Sequence, residues 1–361
     1  MNILIAPLDW GLGHATRCVP IINKLIEHKT NVFIAADKRP YDFLKKEFPK
    51  LKFIKLPGYD ITYPKNNNMA GKILLSIPRI IRRIKKEHKI LKSIIKENNI
   101  DIIISDNRYG LWNKKIKSVF MTHQLMVKCP KGFKFCEPIF YFISKYIIKK
   151  YDECWIPDYE GKINLSGDLS HKYKIPSNAH FIGPLSHFHD KNIDDEIFIN
   201  EEFNYELLVI LSGPEPQRTI LESKIFKQLE NIELKTVVIK GITEKYEEYE
   251  FNDFVKVFSH LKTEKIIDLI LKSKIVLCRP GYSSIMDLTS LGKDAIFIPT
   301  PGQTEQEYLA KNFMDNKIFS SITQNEFNLK NAIEQSSSFT GVKLNYNPSL
   351  LEERIENLLK N

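Results

Sequence analysis

The 361-residue chain has little sulfur chemistry to offer. Its five cysteines, Cys18, Cys129, Cys136, Cys154 and Cys278, are odd in number and widely spaced, and no two form a Cys-x-x-Cys pair. This pattern excludes a disulfide scaffold and a zinc-ribbon or dithiol site, and it suits a reduced compartment. There is no run of about 18 uninterrupted apolar residues, so no spanning helix is expected. The opening "MNILIAPLDW" begins as a strand and lacks the charged-then-apolar plan of a secretory signal. A cytoplasmic protein is expected, at most peripheral on the inner face of the membrane. Short-period repeats and low-complexity tracts are also missing. No Asp-x-Asp pair stands in a credible metal-binding setting, and the histidines show no metal-ligand spacing. Neither metal nor cofactor is therefore expected.

What the chain does have is a rhythm. "NILIAP", "NVFIAA", "KFIKLP", "DIIIS" and "SVFMTH" alternate with helix-period stretches, and the strands read as nearly continuous apolar runs. Such runs fit a parallel sheet covered by helices on both faces. The rhythm restarts with "LLVILS", "KTVVIK", "FVKVFS", "IVLCRP" and "AIFIPT". The expected fold is α/β, with two Rossmann-like doubly wound domains: residues 1–186, an acidic linker 187–204, residues 205–345, and a C-terminal helix 346–361.

In open α/β sheets ligands settle beyond the carboxyl ends of the strands, near helix N-termini. Both halves carry unusual sequence there. In "PLDWGLGHATR", Gly11 and Gly13 allow a tight turn with open amides, and His14 starts the following helix. A dinucleotide fingerprint fails because Thr16 stands where its third glycine belongs. In the second half, "CRPGYSSIMDLTSLGKDAIFIPTPGQTEQEY" places Gly281, Ser283 and Ser284 at a helix start suited to a diphosphate. Asp287 is one turn on, where a ribose diol would lie, and Gln306 and Glu307 open the next helix. "LSGPEPQRT" adds Ser212, Gly213 and Arg218 as a second phosphate-side loop, and Leu261 follows another strand.

These three segments together resemble GT-B glycosyltransferases of family 28, most closely over about residues 275–312. The resemblance implies two Rossmann-like domains facing a cleft. The second would bind a nucleotide sugar, usually a UDP-sugar, and the first a lipid-linked or glycan acceptor. It assigns Ser283 and Ser284 to the diphosphate, Asp287 to the ribose and Gln306 with Glu307 to the donor sugar. Ser212 and Gly213 fall to the phosphate-side loop, and Leu261 to backbone that reads the base. His14 and His123 fall to the acceptor side. The shortened "GLGH" and the Gln-Glu pair depart from the family pattern.

Without a metal, helix dipoles and hydrogen bonds would stabilise the leaving diphosphate while His14 takes the acceptor's proton. Asp106, in "SDNRYG", would orient His14. A hydrolase of nucleotide sugars is the rival reading, because such enzymes share a GxGHxxRC-like loop and "GLGHATRC" fits it. The basic, apolar-faced stretches 72–97 and 131–151 would suit an anionic membrane surface, although ordinary packing on the sheet accounts for them too. Basic residues are spread over helices and form no nucleic-acid motif, so no nucleic-acid partner is expected.

Overall fold

A computed structural model describes residues 1–58, 69–130, 132–188, 204–242, 245–342, 347 and 349–360, the side chains of 69–77 excepted. Most of the expected linker, 189–203, lies outside the described residues. The chain divides into two units. The first is Met1–His187 with Tyr346–Asn361, and the second is Phe188–Asn345.

The first unit runs β1 (Asn2–Pro7), α1 (Gly13–Glu27), β2 (Asn31–Ala36), α2 (Lys38–Glu47), β3 (Lys52–Lys55), α3 (Met69–Asn98), β4 (Ile102–Asp106) and β5 (Lys117–Met121). It continues with α4 (Glu137–Ile148), β6 (Glu153–Ile156), α5 (Asp168–His171) and β7 (Ala179–Phe181). The seven strands are parallel, in the order β3-β2-β1-β4-β5-β6-β7. Every residue of β4 is buried, which explains why "IIIS" does not alternate. Ile3, Leu4 and Ile5 of β1 are wholly buried, each worth about 1.5–3 kcal/mol of apolar burial.

The second unit runs β8 (Tyr205–Ile210), α6 (Gln217–Leu229), β9 (Thr236–Ile239), β10 (Glu248–Asn252), β11 (Val255–Phe258), α7 (Thr263–Leu271) and β12 (Ser273–Cys278). Then come α8 (Tyr282–Ser290), β13 (Ala295–Phe297), α9 (Thr304–Asp315), β14 (Ser320–Ser321) and α10 (Leu329–Ser336). Its strand order is β10-β11-β9-β8-β12-β13-β14, parallel except for the edge strand β10, which pairs antiparallel with β11. The core gathers Leu207, Val209, Val238, Leu277 and Ile296 from the strands with Leu221, Ile225 and Leu229 from α6.

The last helix, α11 (Ser349–Lys360), belongs to the first unit. Leu351, Ile355 and Leu358, at helical spacing, are buried, and the helix packs on α1. Glu352 meets His28 Nε2 at 2.6 Å there. The α/β reading with two doubly wound sheets therefore holds. In each sheet the strand order reverses at one place, between β1 and β4 and between β8 and β12, where the chain ends of neighbouring strands leave a recess.

Candidate active site

At the first reversal, Pro7 of β1 pairs in register with Asp106 of β4, so both strands end side by side. Gly11 takes φ +76°, which an L side chain rarely adopts, and turns the chain into α1. Gly13 is the first helical residue and His14 the second. The His14 side chain is 14% exposed, and its Nδ1 lies 2.9 Å from Oδ2 of the fully buried Asp106. The structure thus brings His14 and Asp106 together.

Arg17 is a site residue that the sequence reading passed over. It lies three positions after His14, on the same face of α1, and is buried. Its Nε donates to Asp106 Oδ2 at 2.9 Å and its Nη2 donates to Asp106 Oδ1 in a close contact. Nη2 is also 2.9 Å from His14 Nδ1, and Nη1 is 3.0 Å from Nδ1 of the buried His123. Burial acts most strongly on the Asp106 carboxyl and would raise its pKa. Attraction from Arg17 and His14, with their hydrogen bonds, outweighs burial and holds it below the ordinary 3.8. The neighbouring Cys18 thiol is pushed well up, by burial first and then by Asp106, so it is no nucleophile. The one legible signal for Arg17 was an arginine set among the buried positions of an apolar helix face.

A second buried arginine braces this recess. Arg108 Nε donates to Glu87 Oε1 at 2.6 Å, and its Nη2 donates to Pro57 O at 2.7 Å. Glu87 Oε2 accepts the Gly110 N–H at 3.0 Å. The loop after β4 is thereby tied to α3 and to the segment after β3.

At the second reversal, Ile210 of β8 and Phe297 of β13 flank Cys278 of β12 in register. Gly281, extended at φ −69° and ψ 139°, is the N-cap of α8. The first N–H groups of that helix have no intrahelical acceptor, which creates positive potential beside half-buried Ser283 and Ser284. Asp287 is 9% exposed, one turn on. Gly213 takes φ +104°. A Cβ there would lie 3.5 Å from Thr300 Oγ1 and 4.0 Å from Arg279 Nε, two buried polar atoms with no hydrogen-bond partner. The other Arg279 nitrogens donate to the carbonyls of Ile298, Pro299 and Gln217. Burial lowers the Arg279 pKa to about 10.

Three expected donor-side residues make hydrogen bonds within their own unit. Arg218 donates to Glu215 Oε1 at 2.6 Å and also to Glu222, whose other oxygen meets Lys240 at 2.9 Å. Gln306 Oε1 accepts the Thr300 N–H at 2.8 Å, and Glu307 Oε1 accepts the Gly302 N–H at 2.8 Å. Both side chains brace the loop before α9. Ser212 precedes Gly213 at the end of β8, and Leu261 lies between β11 and α7. Among the described residues, no three His, Cys, Asp or Glu side chains gather to hold a metal.

On the first unit's surface, Arg79, Arg82, Lys85, Lys86, Lys89, Lys92 and Lys96 of α3 are exposed. Along α4 and the turn before it, Phe135 (71% exposed), Ile139, Phe142 (64%), Ile143 and Tyr146 (66%) face solvent. His88 of α3 stacks on Trp112 with centroids 4.4 Å apart, and Lys150 lies 5.4 Å from the Trp112 ring and 4.7 Å from that of Tyr146. These contacts link α3 to α4 through Trp112 and Lys150. Among the described residues, no helix is long and apolar enough to cross a membrane.

Comparison with known proteins agrees with this fold. Residues 209–349 match the glycosyltransferase family 28 C-terminal domain, and residues 1–116 match glycosyl transferase family 1. The UDP-N-acetylglucosamine--N-acetylmuramyl-(pentapeptide) pyrophosphoryl-undecaprenol N-acetylglucosamine transferase of Rickettsia felis is 34% identical over 91 residues. That match spans 25% of this chain and 24% of the relative. The crystal structure of Acinetobacter baumannii MurG superposes with a TM-score of 0.60 at 11% identity, covering 100% of this chain and 99% of that one. Arabidopsis thaliana UGT89C1 gives a TM-score of 0.62 at 12% identity, covering 98% and 93%. At such identities the likeness is one of fold.

Proposed function

Taking as premise that this chain is of the GT-B family 28 type, its second half a family 28 C-terminal domain, we propose that it transfers a sugar from a UDP-sugar to an acceptor hydroxyl. The transfer inverts the anomeric carbon and needs no metal. The observation that carries the reading is the His14–Asp106 contact at the start of α1. With its Nδ1 proton directed at the carboxylate, His14 keeps a lone pair on Nε2. The acceptor O–H gives its proton to Nε2 as the oxygen bonds to the anomeric carbon. The bond from that carbon to the diphosphate oxygen breaks, and the diphosphate leaves with the electron pair.

The α8 N-terminus supports the donor half of this reading. Main-chain N–H groups, with Ser283 and Ser284, stabilise the charge that grows on the departing diphosphate. Asp287 accepts from the ribose diol, Ser212 and Gly213 border the phosphates, and the main chain near Leu261 reads the base. Gln306 and Glu307 contact the donor sugar through the atoms not used in bracing their loop.

The acceptor is lipid-linked or a glycan, bound beside Gly11, Gly13 and His123. The printed name of the Rickettsia felis relative, with its pyrophosphoryl-undecaprenol acceptor, supports the former. The exposed cations of α3 and the aromatic side of α4 support peripheral contact with an anionic leaflet on the cytoplasmic side. A second reading, hydrolysis of the nucleotide sugar, is favoured by Arg17 and Cys18 completing the GLGHATRC loop.

The test is a panel of nucleotide sugars scored for thermal stabilisation, followed by UDP release with and without lipid-linked and glycan acceptors. Acceptor-dependent release supports transfer, and stoichiometric release of free sugar without acceptor supports hydrolysis. If no nucleotide sugar stabilises the protein, both readings fail.

A further inference from the structure

The turn beyond β4 spends its polar side chains inside the unit, with one exception. Asp106 and Arg108 are wholly buried, and Ser105 Oγ donates to Arg108 O at 2.6 Å. Asn107, between them, is half-buried. Its φ of +53° is a left-handed turn, which asparagine tolerates better than most residues, and its N–H donates to Met121 O at 3.0 Å. The Asn107 carboxamide makes no hydrogen bond among the described residues. Its NH2 donors and its oxygen are therefore left over, one position from the carboxylate that His14 meets.

The turn beyond β1 repeats the pattern. Leu8 is buried, and the Asp9 side chain, 4% exposed, lies 3.8 Å from Lys38 Nζ. A Cβ at Gly58 would overlap the Asp9 carboxyl, so a glycine there is what leaves it room. Trp10 is 42% exposed. The other two tryptophans are occupied: Trp155 is wholly buried and donates to Glu153 at 2.8 Å, while Trp112 stacks on His88. Among the described residues the Trp10 indole has neither a hydrogen-bond acceptor nor a ring partner. Because Pro7 and Asp106 pair in register, Trp10 and Asn107 stand on the two adjoining turns from which His14 and Asp106 meet.

An exposed indole face beside an unused carboxamide is carbohydrate-binding chemistry. The C–H face of a pyranose packs on the electron-rich face of an indole, and neighbouring hydroxyls exchange hydrogen bonds with a carboxamide. Hydrocarbon would use the indole alone and strip water from the carboxamide without replacing its hydrogen bonds. We propose that Trp10 and Asn107 form a sugar-ring subsite beside His14, so that the acceptor hydroxyl belongs to a pyranose and not to glycerol or a lipid alcohol. That the bound sugar is the acceptor rests on the reading of His14 as the base. The subsite itself does not.

The experiment is 1H–15N correlation NMR of the intact protein labelled with 15N-tryptophan, with the Trp10 indole signal assigned from Trp10→Phe. The probes are the methyl β-glycosides of glucose, galactose and N-acetylglucosamine, set against glycerol and against phosphatidylglycerol vesicles. At least one glycoside is expected to move the Trp10 signal saturably while Trp112 and Trp155 stay in place, and glycerol is expected to move none. Asn107→Gly keeps the left-handed turn and removes the carboxamide, and it should weaken that binding by about fivefold, a change near 1 kcal/mol. Failure of every glycoside, vesicles that move Trp10 when no glycoside does, or undiminished binding in Asn107→Gly overturns the proposal. With an acceptor that supports UDP release, Trp10→Ala should raise the acceptor KM by about tenfold and leave thermal stabilisation by the nucleotide sugar unchanged. Acceptor-dependent turnover indifferent to Trp10→Ala would remove the subsite from the reaction and leave transfer standing. Saturable glycoside binding at Trp10 in a protein that turns over no nucleotide sugar would sink the functional reading and leave the subsite standing.

Discussion

His14 Nδ1 lies 2.9 Å from Asp106 Oδ2 although 92 positions of sequence separate them. The pairing of β1 with β4 brings the end of one strand beside the end of the other, and the turn at Gly11 returns the helix start to that point. Replacing His14 by alanine removes the proposed proton acceptor and leaves the α8 N-terminus of the second unit untouched. Turnover should drop by about 100- to 10,000-fold. Thermal stabilisation by the nucleotide sugar should persist, and its loss would place His14 in donor binding instead.

Acid should act on the first unit through Asp106. Its carboxyl titrates below 3.8 when folded, so as pH falls past that value the unfolded chain takes up a proton that the folded state still refuses. The stability contributed by Asp106 is complete above the unfolded value and lost as pH drops through the folded one. In Asp106→Asn this part of the acid limb should flatten. At neutral pH the same variant leaves Arg17 without its counter-charge, at a cost of about 3–5 kcal/mol. Melting temperature against pH for both proteins checks the two effects, and parallel acid limbs would contradict the first.

Gly213→Ala should destabilise the second unit. At φ +104° any L residue is strained, by about 1–3 kcal/mol. The new methyl itself meets only ordinary contact with Thr300, so backbone strain is the expected cause. Chemical denaturation should show a lower midpoint with an unchanged slope.

Arg218→Ala separates a structural role from a phosphate-binding one. Because Glu215 and Glu222 already occupy its guanidinium, donor affinity should stay within about twofold, a change under 0.5 kcal/mol. Isothermal titration with the stabilising nucleotide sugar is the measurement, and a tenfold loss would return Arg218 to the phosphates.

Sedimentation with vesicles tests the surface of the first unit. Binding to anionic vesicles should weaken as salt rises, and it should weaken further in Lys86→Glu with Lys89→Glu. Phe142→Ser should reduce it at every salt concentration, because that ring is largely exposed and would supply the apolar insertion that such a contact needs. Equal binding to neutral vesicles would argue against an electrostatic leaflet contact.

Much of the fold was readable because its signals are local. The apolar runs of β1 and β4 and the helix start at Ser283 and Ser284 announce themselves within a few residues. What escaped depends on partners that only the folded chain assigns. The role of Arg17 is visible only once Asp106 and His123 are placed around it. The contacts of Arg218 with Glu215 and Glu222 could not be told from the loop sequence, where the same residue also suits a phosphate. The edge strand β10 was missed because "EYEFN" carries three exposed residues and no buried one, so only its pairing with β11 defines it. The affiliation of α11 rests on His28 and Glu352, 324 positions apart.

That affiliation carries a consequence for biogenesis. A ribosome releases all of residues 188–342 before it releases 349–360, so the second unit can mature while the first still lacks its final helix. A tag or lesion near residue 355 would accordingly be felt at α1.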